Sequence, residues 1–424
     1  MKVLVVGGGG REHAMIKKLK ESPKITELYC APGNGGIAQD ATCVPIKATD
    51  VQALTDWAAQ HRMDYVVVAP DDPLCLGLVD MLGEQGIPAF GPSKAAARIE
   101  GSKVFAKELM RRYHIPTADY SVFTDASEAL AYASSAAYPL VIKADGLALG
   151  KGVIICESAQ EAAKAITEIM TDGKFGAAGK QIVIESFLEG PEVSMLCFTD
   201  GTTLRPMVSG MDHKRALDGD NGLNTGGMGV ISPNPFYTEE IAAMCMETIF
   251  LPTLVAMQKE GCPFQGCLYF GLMLTKSGPM VIEYNCRFGD PETQAVLPLM
   301  QSDLLDVMLA TTNGTLHEVS CEFSQDACCC VIMASGGYPE AYQTGFPITG
   351  LDAAAEDAMI FHAGTTIAAS GELVTSGGRV LGVTAAQKTL PDAVRKAYQA
   401  AERIAFQDAH KRNDIGFKAL KMMH

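Results

Sequence analysis

The sequence predicts a multidomain protein in which a doubly wound, parallel α/β domain at the N-terminus is followed by α+β units. The chain has 424 residues, which is enough for about two to four domains. Short apolar runs alternate with helical stretches over roughly the first hundred residues, as in a parallel sheet covered on both faces. Hydrophobic residues make up 48% of the chain and charged residues 20%, which indicates ordered, globular domains.

The first domain is predicted over residues 1–102. Its strands are expected at residues 2–6, 27–31 and 65–69, with helices at 12–20 and 51–61. Ligands of such sheets bind in loops at the carboxyl ends of the strands. The glycines that follow the first strand therefore lie where a ligand is expected.

A helical stretch at residues 93–113, broken at Gly101-Ser102, leads into three further regions. A small α+β unit at 120–190 has predicted strands at 138–144, 153–156 and 181–186 and a helix at 159–170. A larger region at 191–326 has predicted strands at 192–198, 267–274 and 279–285. The C-terminal region begins with an apolar strand at 327–334 and includes a turn-linked strand pair around Ser376-Gly377-Gly378 and a helix at 391–406.

Charge and cysteine content exclude several classes of protein. The net charge is −15, which disfavours binding to nucleic acid or to an anionic membrane. Thirteen cysteines occur without a C-x-x-C pair, so we expect reduced core thiols rather than zinc or disulfides. The sequence predicts no signal peptide or membrane-spanning run, and hence a cytoplasmic protein. It does not fix the oligomeric state, and a monomer is plausible.

The first candidate ligand site is Gly7-Gly8-Gly9-Gly10. Glycines between a strand and a helix allow a close approach of backbone amides to an anion. The dinucleotide fingerprint G-x-G-x-x-G fails, because Glu12 or His13 stands where its third glycine belongs. A phosphorylated ligand smaller than NAD is favoured, and a purely structural turn is the alternative.

The second candidate is Lys143, in the apolar strand of the small unit. A glycine-rich turn follows it, with Gly146, Gly152 and Lys151 as candidate contacts. A strand lysine beside a glycine lid suits a triphosphate, since an unpaired ammonium is costly in an apolar strand. A lysine at a solvent-facing sheet edge is the structural alternative.

The third candidate is the connector 185–192. Its apolar members Phe187 and Leu188 can pair their backbone with an adenine edge, and Glu185 and Glu192 can accept ribose or amino donors. An ordinary strand-to-turn transition with solvated glutamates is the alternative.

The sharpest signal is the segment 283–292. Glu283, Asn285 and Arg287 alternate and are predicted to share one strand face. Carboxylate and amide oxygens are hard ligands suited to Mg²⁺, and an arginine adds a planar fork for phosphoryl oxygens. A magnesium–phosphate site is therefore predicted here.

Two further stretches resemble substrate loops. Asp212-His213-Lys214-Arg215 is a compact charged cluster, and residues 221–229 form a glycine-rich loop whose amides could bind a carboxylate or phosphate. A flexible surface loop is the alternative. His13 and His213 are isolated histidines, so we assign neither an acid–base role.

Together these motifs resemble the ATP-grasp superfamily, whose strand lysine, glycine lid, adenine connector and Glu-x-Asn metal strand occur here in order. More narrowly, the chain resembles the phosphoribosylamine–glycine ligase (glycinamide ribonucleotide synthetase) family. The segments that carry this resemblance are VLVVGGGGREHA, APGNGG, GPSKAAARIEGSKVFAK, YPLVIKADGLALGKGV, EGPEVS, DHKRALDGDNGLNTGGMG, EYNCRFGDPETQ, SGGYP, HAGT and SGGRVLGVT.

The resemblance implies an ATP-grasp core between the terminal domains. Residues 103–119 and 191–326 would form its large subdomain, residues 120–190 its small lid subdomain, and residues 327–424 the C-terminal domain. It also implies a reaction of de novo purine biosynthesis. ATP would convert glycine to glycyl phosphate, and 5-phosphoribosylamine would capture it to give glycinamide ribonucleotide, ADP and phosphate.

The resemblance further implies roles for individual residues and a cofactor. Lys103 would join the ATP site, and Arg287, Asp212 and Lys214 would act in catalysis. Mg²⁺, with Mn²⁺ as an alternative, would bind Glu283 and Asn285, and Glu292 is a candidate ligand for a second ion. The substrates would contact Gly8, Gly9, Gly10, Asn34, Asn224, Thr225, Gly226, Gly227, Met228 and Gly229.

Three rival functions remain open at this point. Another ATP-grasp carboxylate–amine ligase, or a carboxylase, would share the nucleotide site but use a different acceptor. A noncatalytic nucleotide-binding sensor would bind ATP without turnover. A nicotinamide dehydrogenase is disfavoured by the failed fingerprint.

Overall fold

The computed structural model describes residues 1–147 and 152–422. Its helices are α1 Gly10–Leu19, α2 Val51–Gln60, α3 Asp71–Leu76, α4 Leu78–Glu84, α5 Lys94–Gly101, α6 Lys103–Arg112, α7 Ala126–Ser135, α8 Ala159–Ile166, α9 Glu239–Cys245, α10 Leu251–Lys259, α11 Thr293–Val296, α12 Leu304–Asn313, α13 Leu351–Ala355, α14 Leu390–Ala401 and α15 Phe417–Met422.

Its strands are β1 Lys2–Gly7, β2 Glu27–Pro32, β3 Thr42–Cys43, β4 Tyr65–Val68, β5 Ala89–Phe90, β6 Tyr120–Phe123, β7 Leu140–Ala144, β8 Val153–Cys156, β9 Ile182–Ser186, β10 Glu192–Thr199, β11 Leu204–Pro206, β12 Met211–Asp212, β13 Arg215–Leu217, β14 Asn221–Asn224, β15 Gly229–Ser232, β16 Gly266–Thr275, β17 Gly278–Asn285, β18 Ala327–Ser335, β19 Met359–His362, β20 Thr365–Ile367, β21 Leu373–Thr375, β22 Arg379–Gln387 and β23 Ala409–His410.

The N-terminal sheet is parallel, in the order β3-β2-β1-β4-β5, which confirms the predicted α/β domain. The four valine and leucine residues of β1 are fully buried, as expected of a strand covered on both faces. The helical stretch after the sheet breaks where predicted. Ser102 ends α5 and caps α6 by accepting a hydrogen bond from the Phe105 amide (3.1 Å).

Two antiparallel sheets follow. The sheet β6-β9-β7-β8 belongs to the small unit and packs on α7 and α8 over an apolar core of its own. The sheet β11-β10-β16-β17 instead shares a core with the N-terminal domain, in which Phe270 and Tyr284 pack near Leu4 and Val66. The metal-strand candidate β17 is therefore built into the core shared with the N-terminal domain, whereas the small unit has a core of its own.

The C-terminal sheet has the order β12-β15-β18-β22-β19, with β23 paired to β18. The buried strand predicted around Cys328-Cys329-Cys330 is confirmed as β18. The predicted strand pair around Ser376-Gly377-Gly378 is wrong. Here β21 pairs with β20, whereas β22 pairs with β18 and β19, because the long apolar β22 completes the buried sheet.

Strands β12 and β15 belong to the C-terminal sheet by hydrogen bonding, although they lie within residues 191–326. The chain leaves the central sheet after β11, enters the C-terminal sheet, and returns at β16. The charged cluster and the glycine-rich loop lie on this excursion. Both are therefore held by the C-terminal sheet.

The helical segment Glu239–Lys259 is long and apolar enough, by length and composition alone, to cross a membrane. One side of it is buried in the protein core through Cys245, Ile249, Phe250 and Leu254. Core packing accounts for this side of the helix, whereas Met244, Leu251 and Val255 are exposed.

Candidate active site

Two lysines and one glutamate form a buried group that we call the basic triad: Lys107, Glu185 and Lys143. The Glu185 carboxylate contacts Lys143 Nζ at 2.9 Å and Lys107 Nζ at 3.1 Å, and all three side chains are at most 5% exposed. Burial lowers the pKa of Lys107 to about 8 against the opposing charge of Glu185. With both lysines protonated, the triad carries an excess positive charge.

Two lysines that were predicted to bind ATP, Lys143 and Lys103, lie in or near the basic triad. Lys143 Nζ also donates to the carbonyl of Ile282 in β17 (2.9 Å), which ties the small unit to the metal strand. Lys103, the first residue of α6, donates to the Gly146 carbonyl (3.0 Å), and burial lowers its pKa. Gly152 is buried just before β8, and Lys151 lies outside the described residues.

The connector after β9 differs from its predicted form at Glu185. Glu185 was expected to accept ligand hydroxyl or amino groups, but its buried carboxylate is occupied by the two lysines. Phe187 is 36% exposed, and Leu188 is half-buried, so both keep surface for a ligand. The apolar part of the adenine-connector prediction is therefore compatible with the geometry, and it stays a prediction.

One lysine and two glutamates form a second group, the acidic triad: Glu192, Lys214 and Glu283. Lys214 Nζ lies 2.9 Å from Glu192 and 3.6 Å from Glu283. The three side chains are 30–45% exposed, so a ligand can reach this group from solvent. Glu192 was predicted at the nucleotide and Lys214 at the substrate, but the structure joins them.

The charged groups of the acidic triad shift one another's pKa values. Burial alone would lower the pKa of the Lys214 ammonium, yet Glu192 and Glu283 raise it well above its usual range. Burial would likewise raise the pKa of the Glu283 carboxyl, but Lys214, Lys143 and Lys103 hold it below its usual range. Lys214 is therefore an ammonium and Glu283 a carboxylate at neutral pH.

Glu283 and Asn285 share a face of β17, because the alternating residue Tyr284 is buried on the other side. Arg287 lies beyond the end of the strand and donates to Asn285 Oδ1 (3.2 Å) and to Glu100 Oε1 (2.9 Å). Glu283 and Asn285 share the predicted strand face, whereas Arg287 approaches Asn285 from beyond the end of the strand. The fork of Arg287 is already engaged by Glu100, which the sequence reasoning missed.

The donor set at Glu283 and Asn285 fits a hard divalent cation. Both supply oxygen atoms, and the only hydrogen-bonding or ionic partner of the Glu283 carboxylate among the described residues is Lys214 at 3.6 Å. Residues 1–147 and 152–422 contain no group of three His, Cys, Asp or Glu side chains that could hold a metal ion. Phosphate oxygens and water would supply the remaining ligands. Glu292, the candidate for a second ion, is 4% exposed and accepts from Ser194 (2.9 Å) and Tyr269 (3.1 Å).

Asp212 lies beside the glycine-rich loop. A Cβ atom at Gly227 would come within 2.5 Å of Asp212 Oδ1, so glycine is required there for a close approach. Burial and the nearby Glu292 raise the pKa of Asp212 well above its usual range. Thr225 braces the loop by donating to the Lys214 carbonyl (2.8 Å) and accepting from the Gly227 amide (2.9 Å).

The loop prediction needs correction at its end. Met228 is fully buried, and Gly229 is part of β15, where a Cβ atom would meet the Cys330 carbonyl at 2.8 Å. Met228 and Gly229 have packing roles here because both are buried. Asn224 ends β14, opposite Arg215, and keeps a half-buried side chain near the loop.

The N-terminal glycines are packed against protein groups. The Gly9 amide donates to Glu12 Oε2 (2.6 Å), whereas the other Glu12 oxygen contacts Arg11. A Cβ atom at Gly8 would meet the Gly33 carbonyl, and one at Gly10 would meet Gln294, each at 2.5 Å. These contacts explain the glycines by packing, and the phosphate-binding prediction for them stays a prediction.

Asn34, predicted at the substrate, has a structural role in this conformation. Its amide nitrogen donates to the Gly8 carbonyl (2.9 Å) and the His362 carbonyl (2.8 Å), and its oxygen accepts from the Gly36 and Ile37 amides. Every strong hydrogen-bonding group of its side chain is therefore engaged. Asn34 therefore joins the glycine-containing turn at residues 33–36 to β19.

The two histidines of the motifs are structural, as expected. His213 accepts at Nε2 from the Gly416 amide (3.0 Å) and donates from Nδ1 to the Gly229 carbonyl (3.2 Å), and burial lowers its pKa to about 4. His13 accepts at Nδ1 from the His362 amide (2.8 Å) and donates from Nε2 to Asp40 (3.1 Å). Both are neutral rings.

Sequence reasoning missed three residues of this site: Lys107, Glu100 and Arg379. Lys107 follows Lys103 by one helical turn, and this spacing was a usable signal. Glu100 and Arg379 lie in two of the family-like segments, but no local pattern indicated their roles, since their partners Arg287 and Gly226 are distant in the chain.

Comparison with known proteins supports a single family. Family models for phosphoribosylglycinamide synthetase match residues 1–100 (N domain), 101–293 (ATP-grasp A domain) and 328–418 (C domain). A phosphoribosylamine–glycine ligase of Rhizobium meliloti (strain 1021) is 47% identical over 420 residues, covering 99% of each chain. The crystal structure of a Thermotoga maritima phosphoribosylamine–glycine ligase has a TM-score of 0.86 at 34% identity, covering 98% of this chain and all of that one.

The fold is shared more widely. A biotin carboxylase from Campylobacter jejuni has a TM-score of 0.74 at 14% identity, over 97% of this chain and 93% of that one. This likeness concerns the fold alone. The family models and the full-length identity together show that the chain belongs to the phosphoribosylglycinamide synthetase family.

Proposed function

We propose that the chain is an ATP-dependent ligase that joins glycine to 5-phosphoribosylamine through glycyl phosphate. The observation that carries this proposal is the meeting of the two triads on β17. Lys143 of the basic triad donates to Ile282, and the next residue, Glu283, belongs to the acidic triad. A site for a polyanion thus adjoins a site for a cation.

The basic end suits the triphosphate of ATP. Lys143 supplies positive charge from a buried position and Lys103 from a partly buried one, where a charge interacts more strongly than in water. Phosphoryl transfer depends mainly on positioning and charge neutralisation rather than on a side-chain nucleophile. Phe187 and Leu188 line the adjoining connector and suit the adenine ring.

Glu283 and Asn285 would hold a divalent cation, with Mg²⁺ expected and Mn²⁺ as an alternative. The bound cation would neutralise charge on the phosphate oxygens. At this cation site Lys214 pairs with Glu283, and Arg287 pairs with Glu100. These ion pairs compensate part of the negative charge.

The acceptor chemistry needs two balanced steps. A glycine carboxylate oxygen bonds to the γ-phosphorus of ATP, and ADP leaves with the electron pair of the broken P–O bond. The amine nitrogen of phosphoribosylamine then bonds to the carbonyl carbon, and phosphate leaves with the electron pair of the C–O bond. Asp212, with its raised pKa, is the group we assign to take the amine proton.

The substrates are small molecules, so the proposal needs neither nucleic acid nor a membrane as partner, and we place the reaction in the cytoplasm. Thr225, Gly226 and Gly227 would bind the glycine and amine through backbone amides. The small unit, with its separate core, would close over the reactants and exclude water from glycyl phosphate.

Phosphate release tests the proposal when each component is omitted in turn from ATP, Mg²⁺, glycine and freshly generated phosphoribosylamine. The proposal predicts release that needs all four components and a product with the mass of glycinamide ribonucleotide. Release that requires bicarbonate instead of glycine would establish a carboxylase. ATP binding without release in any mixture would establish a sensor.

A further inference from the structure

We propose that Arg379 is a positioning residue. It fixes the position of the 225–227 loop relative to Asp290, so that the amine rather than water captures glycyl phosphate. This inference rests on the proposed function. Arg379 is the first residue of β22, in the C-terminal sheet. It contacts neither the basic nor the acidic triad, and no motif argument assigned it a role.

The contacts of Arg379 join two segments that are far apart in sequence. Nη1 donates to the Gly226 carbonyl (2.8 Å) and to the Asp290 carbonyl (2.7 Å), with a longer contact to Gly227 (3.4 Å). Nη2 lies 3.4 Å from Asp290 Oδ1. One guanidinium therefore fixes the spacing between the glycine-rich loop and the turn after the metal strand.

The loop depends on this clamp because its own side chains are small. A Cβ atom at Gly226 would come within 3.0 Å of Arg379 Cζ, so the guanidinium lies directly on the loop backbone. Besides Thr225, the described contact at the tip is Tyr338, whose hydroxyl accepts from the Gly226 amide (3.2 Å). Tyr338 also belongs to the C-terminal region.

Asp290 extends the clamp to the N-terminal domain. Its Oδ2 would lie 3.2 Å from a Cβ atom at Gly9, and its Oδ1 accepts from Gln294 Nε2 (2.8 Å). Arg379 thus lies where the turn after the metal strand, the C-terminal sheet and the N-terminal domain come close together. A lysine would keep the charge, but its single Nζ could not both donate to the two carbonyls and place a second nitrogen beside Asp290 Oδ1.

Loss of the clamp should change the fate of glycyl phosphate rather than its formation. When water replaces the amine, its oxygen bonds to the carbonyl carbon, phosphate leaves with the C–O electron pair, and glycine is regenerated. ATP is then spent without product. The diagnostic quantity is the phosphate released for each glycinamide ribonucleotide formed, which is one in a coupled enzyme.

The test compares the wild type with Arg379→Ala and Arg379→Lys in the full chain. We expect the ratio to rise several-fold in Arg379→Ala and less in Arg379→Lys, with the KM for ATP unchanged. Millimolar methylguanidinium should return the ratio of Arg379→Ala towards one, because it can occupy the vacated position. If Arg379→Ala does not fold, the ratio of Arg379→Lys alone decides.

Two other arginines of the C-terminal region serve as controls. Arg403 contacts Ala353 and Asp357 at the surface, so Arg403→Ala should leave the ratio at one. Arg412 is 1% exposed and holds the base of the β13–β14 hairpin through the Arg215 carbonyl (3.2 Å) and Asp220 (2.9 Å). Arg412→Lys should lower the unfolding temperature without raising the ratio.

An unchanged ratio in the Arg379 variants, or an equal rise in Arg412→Lys, would overturn the specific role of Arg379. A parallel loss of phosphate release and product without methylguanidinium rescue would also overturn it. A wild-type enzyme that forms no glycinamide ribonucleotide would instead overturn the proposed function, so the two failures are distinguishable.

Discussion

The basic and acidic triads use the same residue types in opposite proportion. In the basic triad one glutamate lies between two lysines, all nearly inaccessible to solvent, whereas in the acidic triad one lysine lies between two partly exposed glutamates. The proportion sets the sign of the uncompensated charge, and the exposure determines whether a ligand can reach it. A lysine or glutamate in a motif therefore acquires its function from its partners.

The largest expected effect tests the two ends together. Lys143→Ala and Glu283→Ala should each lower kcat by roughly 10²–10³-fold or more, because each removes a charge that neutralises or organises the transferring phosphoryl group. Phosphate-release kinetics measure this loss, and circular dichroism checks the fold. The control is Glu189→Ala, which lies in the connector 185–192 but outside both triads and should retain wild-type kcat. Wild-type rates in either triad variant would contradict the site assignment.

The same substitution should have unequal effects on stability in the two triads. Glu185→Gln leaves two buried lysines without their shared counter-charge and should lower the free energy of unfolding by about 3–5 kcal/mol. Glu192→Gln affects a half-exposed pair and should cost less than about 1 kcal/mol. Urea titration compares the two variants. Equal losses would show that burial does not distinguish the triads.

A pH effect is expected near the acidic triad through His213. Its pKa is about 4 in the folded protein and about 6.5 in an unfolded chain. Between these values the unfolded chain binds the proton and the folded chain does not, so the free energy of unfolding falls as the pH decreases from 6.5 to 4. The share of His213 is about 3 kcal/mol.

In His213→Gln, the free energy of unfolding should therefore fall less steeply between pH 6.5 and 4. Urea titration at several pH values measures this dependence. His362, whose pKa is lowered to about 3 by burial, contributes in the same direction and remains in this variant. His317, an exposed histidine, provides the control substitution. An equally steep fall of the free energy of unfolding in His213→Gln and in the wild type would contradict this account.

The smallest expected effect concerns the connector beside the basic triad. Phe187→Ala should raise the KM for ATP about three- to tenfold with little change in kcat, because it removes apolar contact area from bound adenine without touching the reacting atoms. Tyr132→Ala, which removes another exposed aromatic ring of the small unit, should leave this KM unchanged. A reduced kcat in Phe187→Ala would place the residue closer to the chemistry than proposed.

Local patterns predicted the strands well because strand periodicity is a property of neighbouring residues. The strands β1, β7, β17 and β18 all formed where their apolar runs were found in the sequence. The shared face of Glu283 and Asn285 followed from the same periodicity. The failed strand pair at Ser376-Gly377-Gly378 shows the limit, since a turn signal does not say whether the flanking strands pair with each other.

The partners of the site residues could not be predicted, because they depend on long-range packing. Nothing near Glu185 in the sequence indicates that Lys107 and Lys143 occupy it, and nothing near Gly226 indicates Arg379. Asn34 and Met228 lie in motifs of the family, yet one is fully hydrogen-bonded and the other fully buried. A motif thus identified the neighbourhood of the site but not which of its members face the ligand.

The most direct test of the two-triad account is calorimetric titration of a nonhydrolysable ATP analogue with and without Mg²⁺. The account predicts that Lys143→Ala loses affinity under both conditions. It predicts that Glu283→Ala keeps wild-type or tighter affinity without the cation and loses the gain that Mg²⁺ provides. An intact Mg²⁺ gain in Glu283→Ala, or an equal loss of cation-free affinity in the two variants, would contradict the assignment of polyanion and cation to opposite triads.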